Sequence, residues 1–258
     1  MAVPLGVDLL PFEAGANAGS YMVVDAEFEP ALGKVILVNP TMGAGVNQTL
    51  LTQGGELYFP TGGTVAPAGT PDIAGQIFVT DVGKVFGKTS EKNNNPRKIV
   101  QIDPATGVQT LLISEINDFT IPITNGMITN LFHPTGIDVD PTSGDLYIAD
   151  SFSKTVWRLE HTGGGAFAGM LEAFSIDADF IQPVHLTVDP GGNFIYMTDG
   201  KTVAPNSAYA GGTRLLHKID MGTFAPATGA SSNIFTMDGF LQEPRGIEII
   251  PVDPLTGN

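Results

Sequence analysis

The feature that most constrains this chain is a short repeated signature: a proline, one further residue, a glycine, and then residues that alternate between apolar and polar. It begins at five places, namely Pro4, Pro60, Pro134, Pro183 and Pro244. The fourth copy departs from the others because it has His185 where they have glycine. Internal repetition of this kind indicates units that bury their apolar faces against one another.

Each of the first four signatures is followed by a second predicted strand that ends in aspartate, over residues 21–25, 77–81, 146–150 and 195–199. A glycine precedes each of these strands, where a hairpin turn needs a positive φ: Gly19, Gly75, Gly144 and Gly192. Third strands are predicted at 34–38, 98–103, 155–159 and 215–220, and fourth strands at 48–51 and 109–113. Four strands per unit predict the blade of a β-propeller.

The third unit carries the most specific pattern. Its residues read Pro134-Thr135-Gly136-Ile137-Asp138-Val139-Asp140-Pro141, then Gly144-Asp145-Leu146-Tyr147-Ile148-Ala149-Asp150, then Val156-Trp157-Arg158-Leu159. This unit closely resembles an NHL repeat, and the rest of the chain resembles it more weakly. Residues 102–110 look like the strand–turn–strand of bacterial NHL and virginiamycin B lyase-like propellers. The resemblance, which extends to gluconolactonase-like proteins, implies an all-β propeller of four-stranded antiparallel blades, but these families differ widely in function.

The repeats predict a single domain over residues 1–258, with four full units and a fifth that stops after its first strand near 244. Three explanations stay open: a fragment of a five- or six-bladed ring, an atypical ring of four or five blades, or an open edge completed by another chain. An unpaired edge strand favours strand addition and therefore self-assembly. The first two explanations are preferred.

Composition excludes several classes of protein. Lys and Arg number 12 against 27 Asp and Glu, and the net charge of -15 predicts no binding to nucleic acid. The absence of cysteine excludes disulfides, thiolate metal sites and a cysteine nucleophile. The apolar runs predict no membrane span, and residues 1–15 do not resemble a signal peptide. The 32 glycines and 19 prolines in an acidic chain favour an extracellular, periplasmic or cell-surface location.

In a propeller, the first strands line the axis, and their starts lie at the same end as the loops that follow the second strands. This end is predicted to bind a protein or glycan, because the loops at 82–97 and 200–213 are long. The predicted ligand-binding residues lie at the starts of first strands, where they are His133, His185 and Arg245, and further along first strands, where they are the carboxylates Asp138 and Glu248.

His185 is also the candidate catalytic residue, since an imidazole acts as a general base or binds a metal. The alternative is a hydrogen-bonded histidine in the mouth of the channel. The repeated carboxylates are candidate ligands for Ca²⁺ or Mg²⁺: Asp25, Asp81, Asp150 and Asp199. The preferred alternative is structural, because an aspartate at a strand end accepts hydrogen bonds from turn amides.

Three functions follow, of which the first is preferred. The chain is predicted to be a non-enzymatic binding or structural module. The second hypothesis is a metal-assisted lyase or hydrolase, with His185 as base and Asp138 and Glu248 holding the ion. The third is a subunit of a larger extracellular assembly, in which another chain completes the fifth blade.

Overall fold

The structure is a computed structural model that describes residues 2–10, 15, 17–27, 32–42, 47–83, 97–115, 133–177, 180–200, 214–224 and 231–237. Their regular secondary structure consists of β-strands and short 3₁₀ turns, one of which is Met221–Thr223. Among these residues, no helix is long and apolar enough to cross a membrane. Arg245 and Glu248, together with the whole fifth signature, lie outside the described residues.

Sixteen of the strands form four antiparallel sheets of four strands each. Blade 1 contains β1 (Ala2–Leu9), β2 (Tyr21–Glu27), β3 (Lys34–Val38) and β4 (Gln48–Gln53). Blade 2 contains β5 (Pro60–Val65), β6 (Ile77–Asp81), β7 (Arg97–Ile102) and β8 (Gln109–Glu115). In both blades the hydrogen-bonded order follows the sequence, so each strand pairs with the next one along the chain.

Blade 3 contains β9 (Pro134–Val139), β10 (Leu146–Asp150), β11 (Thr155–Leu159) and β14 (Glu172–Ile176). A separate hairpin of β12 (His161–Gly163) and β13 (Ala166–Phe167) is inserted before β14. Blade 4 contains β15 (Pro183–Val188), β16 (Phe194–Gly200), β17 (Arg214–Asp220) and β18 (Ser231–Met237). The four-stranded blades predicted from the sequence are therefore present.

The turns that join first and second strands use the glycines that the sequence predicted. All four have a positive φ, namely 76° at Gly19, 78° at Gly75, 83° at Gly144 and 65° at Gly192. A residue with a Cβ atom is disfavoured in this conformation. These glycines therefore fix where each hairpin reverses.

Among the described residues, the core consists of three apolar clusters that lie between neighbouring blades. The first joins blades 1 and 2 and includes Val24 and Val79, and the second joins blades 2 and 3 around Trp157. The third joins blades 3 and 4 through Phe174 and Met197. The first strands of successive blades are also in contact: β1 contacts β5, β5 contacts β9 and β9 contacts β15. Such radial packing of successive sheets is that of a propeller.

Hydrogen bonds between first strands reinforce two of these junctions. The Thr61 hydroxyl donates to the Pro134 carbonyl at 2.6 Å, and the Thr135 hydroxyl donates to the Pro183 carbonyl at 3.0 Å. The middle residue of the signature thus links its own blade to the start of the next.

Candidate functional site

The repeated proline and the repeated aspartate meet at one end of the propeller. Pro4 is the register partner of Asp25, and the same pairing joins Pro60 to Asp81, Pro134 to Asp150 and Pro183 to Asp199. First strands begin here and second strands end here. We call this end the Pro–Asp face.

Three of the four aspartates hold the chain as it approaches a proline. The amide immediately before each proline donates to the carboxylate of the same blade: Phe59 to Asp81 at 2.9 Å, His133 to Asp150 at 3.0 Å, and Gln182 to Asp199 at 2.5 Å. Additional amides reach the same groups, including those of Tyr58 and Ile181. The carboxylates thereby satisfy buried backbone donors that would otherwise lack partners.

Basic partners differ from blade to blade. Lys34 lies 3.5 Å from Asp25, and in blade 4 the Nε2 atom of His217 lies 3.2 Å from Asp199. Lys98 is also buried and forms a 2.7 Å ion pair with Glu56. Burial, partly offset by the amide donors and by Lys98, raises the pKa of Asp81 to about 6.

The arrangement of the aspartates matches turn stabilisation better than metal binding. Within the ranges that the structure describes, no group of three or more histidine, aspartate and glutamate side chains is placed to hold a metal ion. Asp81, Asp150 and Asp199 belong to different blades, and each directs its oxygens to its own turn. Asp25 differs, because its Oδ1 atom is buried without a hydrogen-bond partner among the described residues. The hydrogen bonds of the other three aspartates are those of turn stabilisation.

Asp138 lies at the axis, where it connects three blades. One of its oxygens accepts a hydrogen bond from the Thr64 hydroxyl of blade 2 at 2.8 Å, and the other accepts one from the Val188 amide of blade 4 at 2.8 Å. Asp8 plays a similar part between blades 1 and 2, where it accepts from the Val65 amide at 2.7 Å. Burial raises the pKa of Asp138, although its hydrogen-bond donors act in the opposite direction.

His133 lies on the Pro–Asp face of blade 3 and is held at both its backbone and its ring. Its carbonyl accepts from the Ser151 amide at 3.0 Å, and its Nδ1 atom lies 3.0 Å from the Ser151 hydroxyl. Burial lowers the pKa of His133, while Asp150 raises it to a smaller extent. The side chain is therefore a fixed, neutral hydrogen-bonding group at neutral pH.

His185 is placed differently. Its Nδ1 atom is buried and forms no hydrogen bond with any residue that the structure describes. Burial lowers the pKa of the imidazole, and the Asp8 carboxylate of blade 1 raises it to a smaller extent. His133 and His185 thus belong to the same end of the propeller but to different blades, and Asp138 is engaged with neighbouring strands.

Several residues at this end were not identified from the sequence. Phe152 is 64% exposed in the turn between β10 and β11, and it follows Ser151, which contacts His133. His217 is fully buried against Phe180, with the two rings 4.8 Å apart. The only signal for Phe152 was its place directly after a second strand, and nothing in the pattern distinguished it from a solvated turn residue.

Comparison with known proteins identifies the fold. No protein-family model matches the chain, and no curated protein matches it. A chain of a nidogen/laminin complex is similar over 83% of this chain, with 14% identity and a TM-score of 0.54. A candidate gluconolactonase is similar over 90%, with 15% identity and a TM-score of 0.51, and TolB from Acinetobacter baumannii over 91%, with 14% identity and a TM-score of 0.52.

These likenesses show that the chain has the β-propeller fold. The chain spans 61% of the length of the nidogen/laminin chain, 63% of the candidate gluconolactonase and 43% of TolB. At these identities the similarity extends to architecture alone.

Proposed function

We propose that the protein is a binding module that holds a protein or glycan partner on the Pro–Asp face of blade 3, with Phe152 as the central contact. The observation that carries this proposal is the exposure of a large aromatic side chain on a turn whose backbone is fixed. Exposed aromatic residues on rigid supports are the usual centres of binding energy, because little conformational entropy is lost when they are covered.

The turn is fixed by hydrogen bonds from both directions. One oxygen of Asp150 accepts the amides of Phe152 and Ser153, at 3.0 and 2.9 Å. The Ser153 hydroxyl in turn accepts from the indole nitrogen of the buried Trp157 at 3.2 Å. The Phe152 ring therefore projects from a backbone that is tied to the core of the blade.

Polar groups beside the ring complete a surface suited to recognition. The neutral His133 ring and the Ser151 hydroxyl, 3.0 Å apart, can exchange hydrogen bonds with a partner without a large desolvation cost. An aromatic ring next to such groups suits both a peptide and the apolar face of a sugar. A propeller of similar fold occurs in a nidogen/laminin complex, which supports a role in protein binding.

The setting that we propose is extracellular, periplasmic or at the cell surface. The acidic charge and the high glycine and proline content support this location.

Site-specific photo-crosslinking tests the proposal. A photoreactive phenylalanine analogue is placed at position 152 and, in a matched control, at position 170, because Met170 is 81% exposed in the loop before β14, at the opposite end of blade 3. We expect discrete adducts in the native host from position 152 alone. Equal adducts from both positions, or none from position 152, would contradict the proposal.

A metal-assisted lyase or hydrolase is the second candidate, and one observation favours it. A general base must be unprotonated near neutral pH, and burial keeps the pKa of His185 below its usual range. Asp138 fits the proposed metal role less well, because both its oxygens already accept hydrogen bonds. Elemental analysis of the purified protein, combined with the His185→Ala variant in lactonase and lyase assays, separates this candidate from the binding module.

A further inference from the structure

The turn that joins β10 to β11 carries an exposed charge as well as an exposed aromatic ring. Phe152 is 64% exposed, and Lys154 is exposed two residues later in the same turn. Their Cα atoms lie no more than about 7.6 Å apart, because consecutive Cα atoms are separated by about 3.8 Å. A single binding partner can therefore contact both side chains.

Lys154 differs from every other basic residue whose side chain the structure describes. The others are buried or half-buried, and each interacts with a charged or aromatic group: Lys34, Arg97, Lys98, Arg158 and Lys218. Lys154 is fully accessible and forms no ion pair with any residue in the described ranges. In a chain with a net charge of -15, this ammonium group is suited to an anionic partner.

The carboxylate at the start of the turn is directed into the blade rather than toward Lys154. Asp150 is fully buried. One of its oxygens accepts the amides of Phe152 and Ser153, and the other accepts the amide of His133. The surface of the turn is therefore both cationic and apolar.

The backbone of Lys154 is strained. Its φ is 55°, and among the described residues other than glycine only Asp72 also has a positive φ. Glycine or asparagine adopts this conformation at a lower cost than lysine. Because the side chain is exposed, packing within the protein gives no reason for a lysine here. Strain of this kind at an accessible position indicates a functional role for the side chain.

The remaining side chains of the turn favour a protein partner over a glycan. The Ser151 hydroxyl lies 3.0 Å from Nδ1 of His133, and the Ser153 hydroxyl accepts a hydrogen bond from the indole of Trp157. Both hydroxyls thus have partners within the protein, and the ring of Phe152 has no hydrogen-bonding group of its own. The hydroxyls of a sugar need such groups, whereas an apolar side chain does not.

We infer that the partner held on the Pro–Asp face of blade 3 is an acidic peptide segment, in which a carboxylate lies next to a large apolar side chain. The apolar side chain covers Phe152, and the carboxylate pairs with Lys154. This inference rests on the proposed role of Phe152 in binding, and it adds the chemistry of the partner.

NMR titration with defined probes tests the inference. The lysines are labelled with ¹⁵N, and the Lys154 amide signal is assigned from its loss in Lys154→Asn. The probe is the blocked peptide Gly-Glu-Leu-Glu-Gly, the neutral counterpart has glutamine in place of both glutamates, and a galacturonate trisaccharide provides the carboxylates of a glycan. We expect the acidic peptide to shift the Lys154 signal in a saturable way, and the other two probes to bind about fivefold more weakly or less. No shift with the acidic peptide, an equal response to the glutamine peptide, or tighter binding of the trisaccharide would overturn the inference.

Variants separate a role in binding from a role in folding. Lys154→Asn should weaken the acidic peptide by about fivefold, and it should leave the free energy of unfolding unchanged or higher, because asparagine tolerates a positive φ. Lys218→Gln is the matched control, since it removes the same charge from blade 4, where the ammonium lies 3.7 Å from the centre of the Phe194 ring. Unchanged binding in Lys154→Asn, or equal weakening in the control, would contradict the assigned contact.

Photo-crosslinking from position 152 distinguishes failure of this inference from failure of the proposed function. Equal adduct yields with and without the Lys154→Asn substitution would reject the acidic partner and retain the binding module. A loss of adducts without that substitution would reject the binding module itself.

Discussion

Replacement of Asp138 by alanine tests whether the axis of the propeller is held by side-chain hydrogen bonds between blades. The carboxylate accepts from the Thr64 hydroxyl, the Val139 amide and the Val188 amide, each at 2.8 Å. The first and last of these bonds come from neighbouring blades. Alanine would leave the Val188 amide without this acceptor and the Thr64 hydroxyl with only the longer bond to Asp8, at 3.3 Å.

The expected cost follows from these contacts. A hydrogen bond to a charged group contributes about 1.5–3 kcal/mol, so the two bonds between blades together contribute about 3–6 kcal/mol. The buried carboxylate also carries a desolvation cost, which raises the pKa of Asp138. Removal of the carboxylate removes this cost and so partly offsets the loss of the hydrogen bonds. We therefore expect Asp138→Ala to lower the free energy of unfolding by about 3 kcal/mol, or Tm by about 6–12 °C.

Urea denaturation followed by tryptophan fluorescence measures this change well. Trp157 is the single tryptophan, and it is buried in the cluster between blades 2 and 3. Thr64→Val is the first control and should cost about 1–2 kcal/mol, because it removes one donor and keeps the volume. Asp8→Ala should cost about 1 kcal/mol, since Asp8 is only half-buried and water can replace it. An Asp138→Ala variant as stable as the wild type, or a larger loss in Asp8→Ala, would refute the reasoning.

Two further predictions concern packing and pH. Gly136→Ala should destabilise the protein by about 2 kcal/mol or more, because the new methyl group meets the backbone of blade 4, whereas Gly169→Ala, with no atom within 4 Å of its Cβ position, should be neutral or slightly stabilising in the same urea assay. For Asp81, the folded pKa of about 6 exceeds the ordinary value of 3.8, so the folded protein binds a proton that the unfolded chain lacks between these values. The free energy of unfolding of the wild type relative to Asp81→Asn should therefore increase by about 2 kcal/mol as the pH falls from about 7 to about 4, and a difference that is constant with pH would contradict it.

The blades could be predicted because each strand carries its own local signal. Alternation marked the first strands, and the glycines before the second strands marked the hairpins. β14 and β18 were not predicted, because the inserted hairpin at 161–167 separates β14 from the rest of its blade, and residues 231–237 show no clear alternation. Edge strands pair on one side only, so the fold imposes a weaker pattern on them.

The candidate site was less predictable, because its interactions cross from one unit to another. The sequence placed Asp138 on a first strand, but the distance from that strand to Val188 depends on how closely two blades pack. The contact between His217 and Asp199 could not be predicted either. It joins the third strand of a blade to the second, and no recurring spacing in the sequence relates these two residues. His185 could be identified as a candidate site residue, because it occupies the position where the other copies of the signature have a glycine, and that glycine is needed for close packing between blades.

The aspartates that hold the chain before Pro60, Pro134 and Pro183 each act within their own unit. A segment of the gene that encodes one unit thus carries the residues that close its own turns. Tandem duplication of such a segment would deliver a sheet whose turns are already stabilised, and only the surfaces that meet the adjoining sheets would need to adapt. Proteins assembled in this way can gain or lose whole units, while the units that remain keep their own turns unchanged.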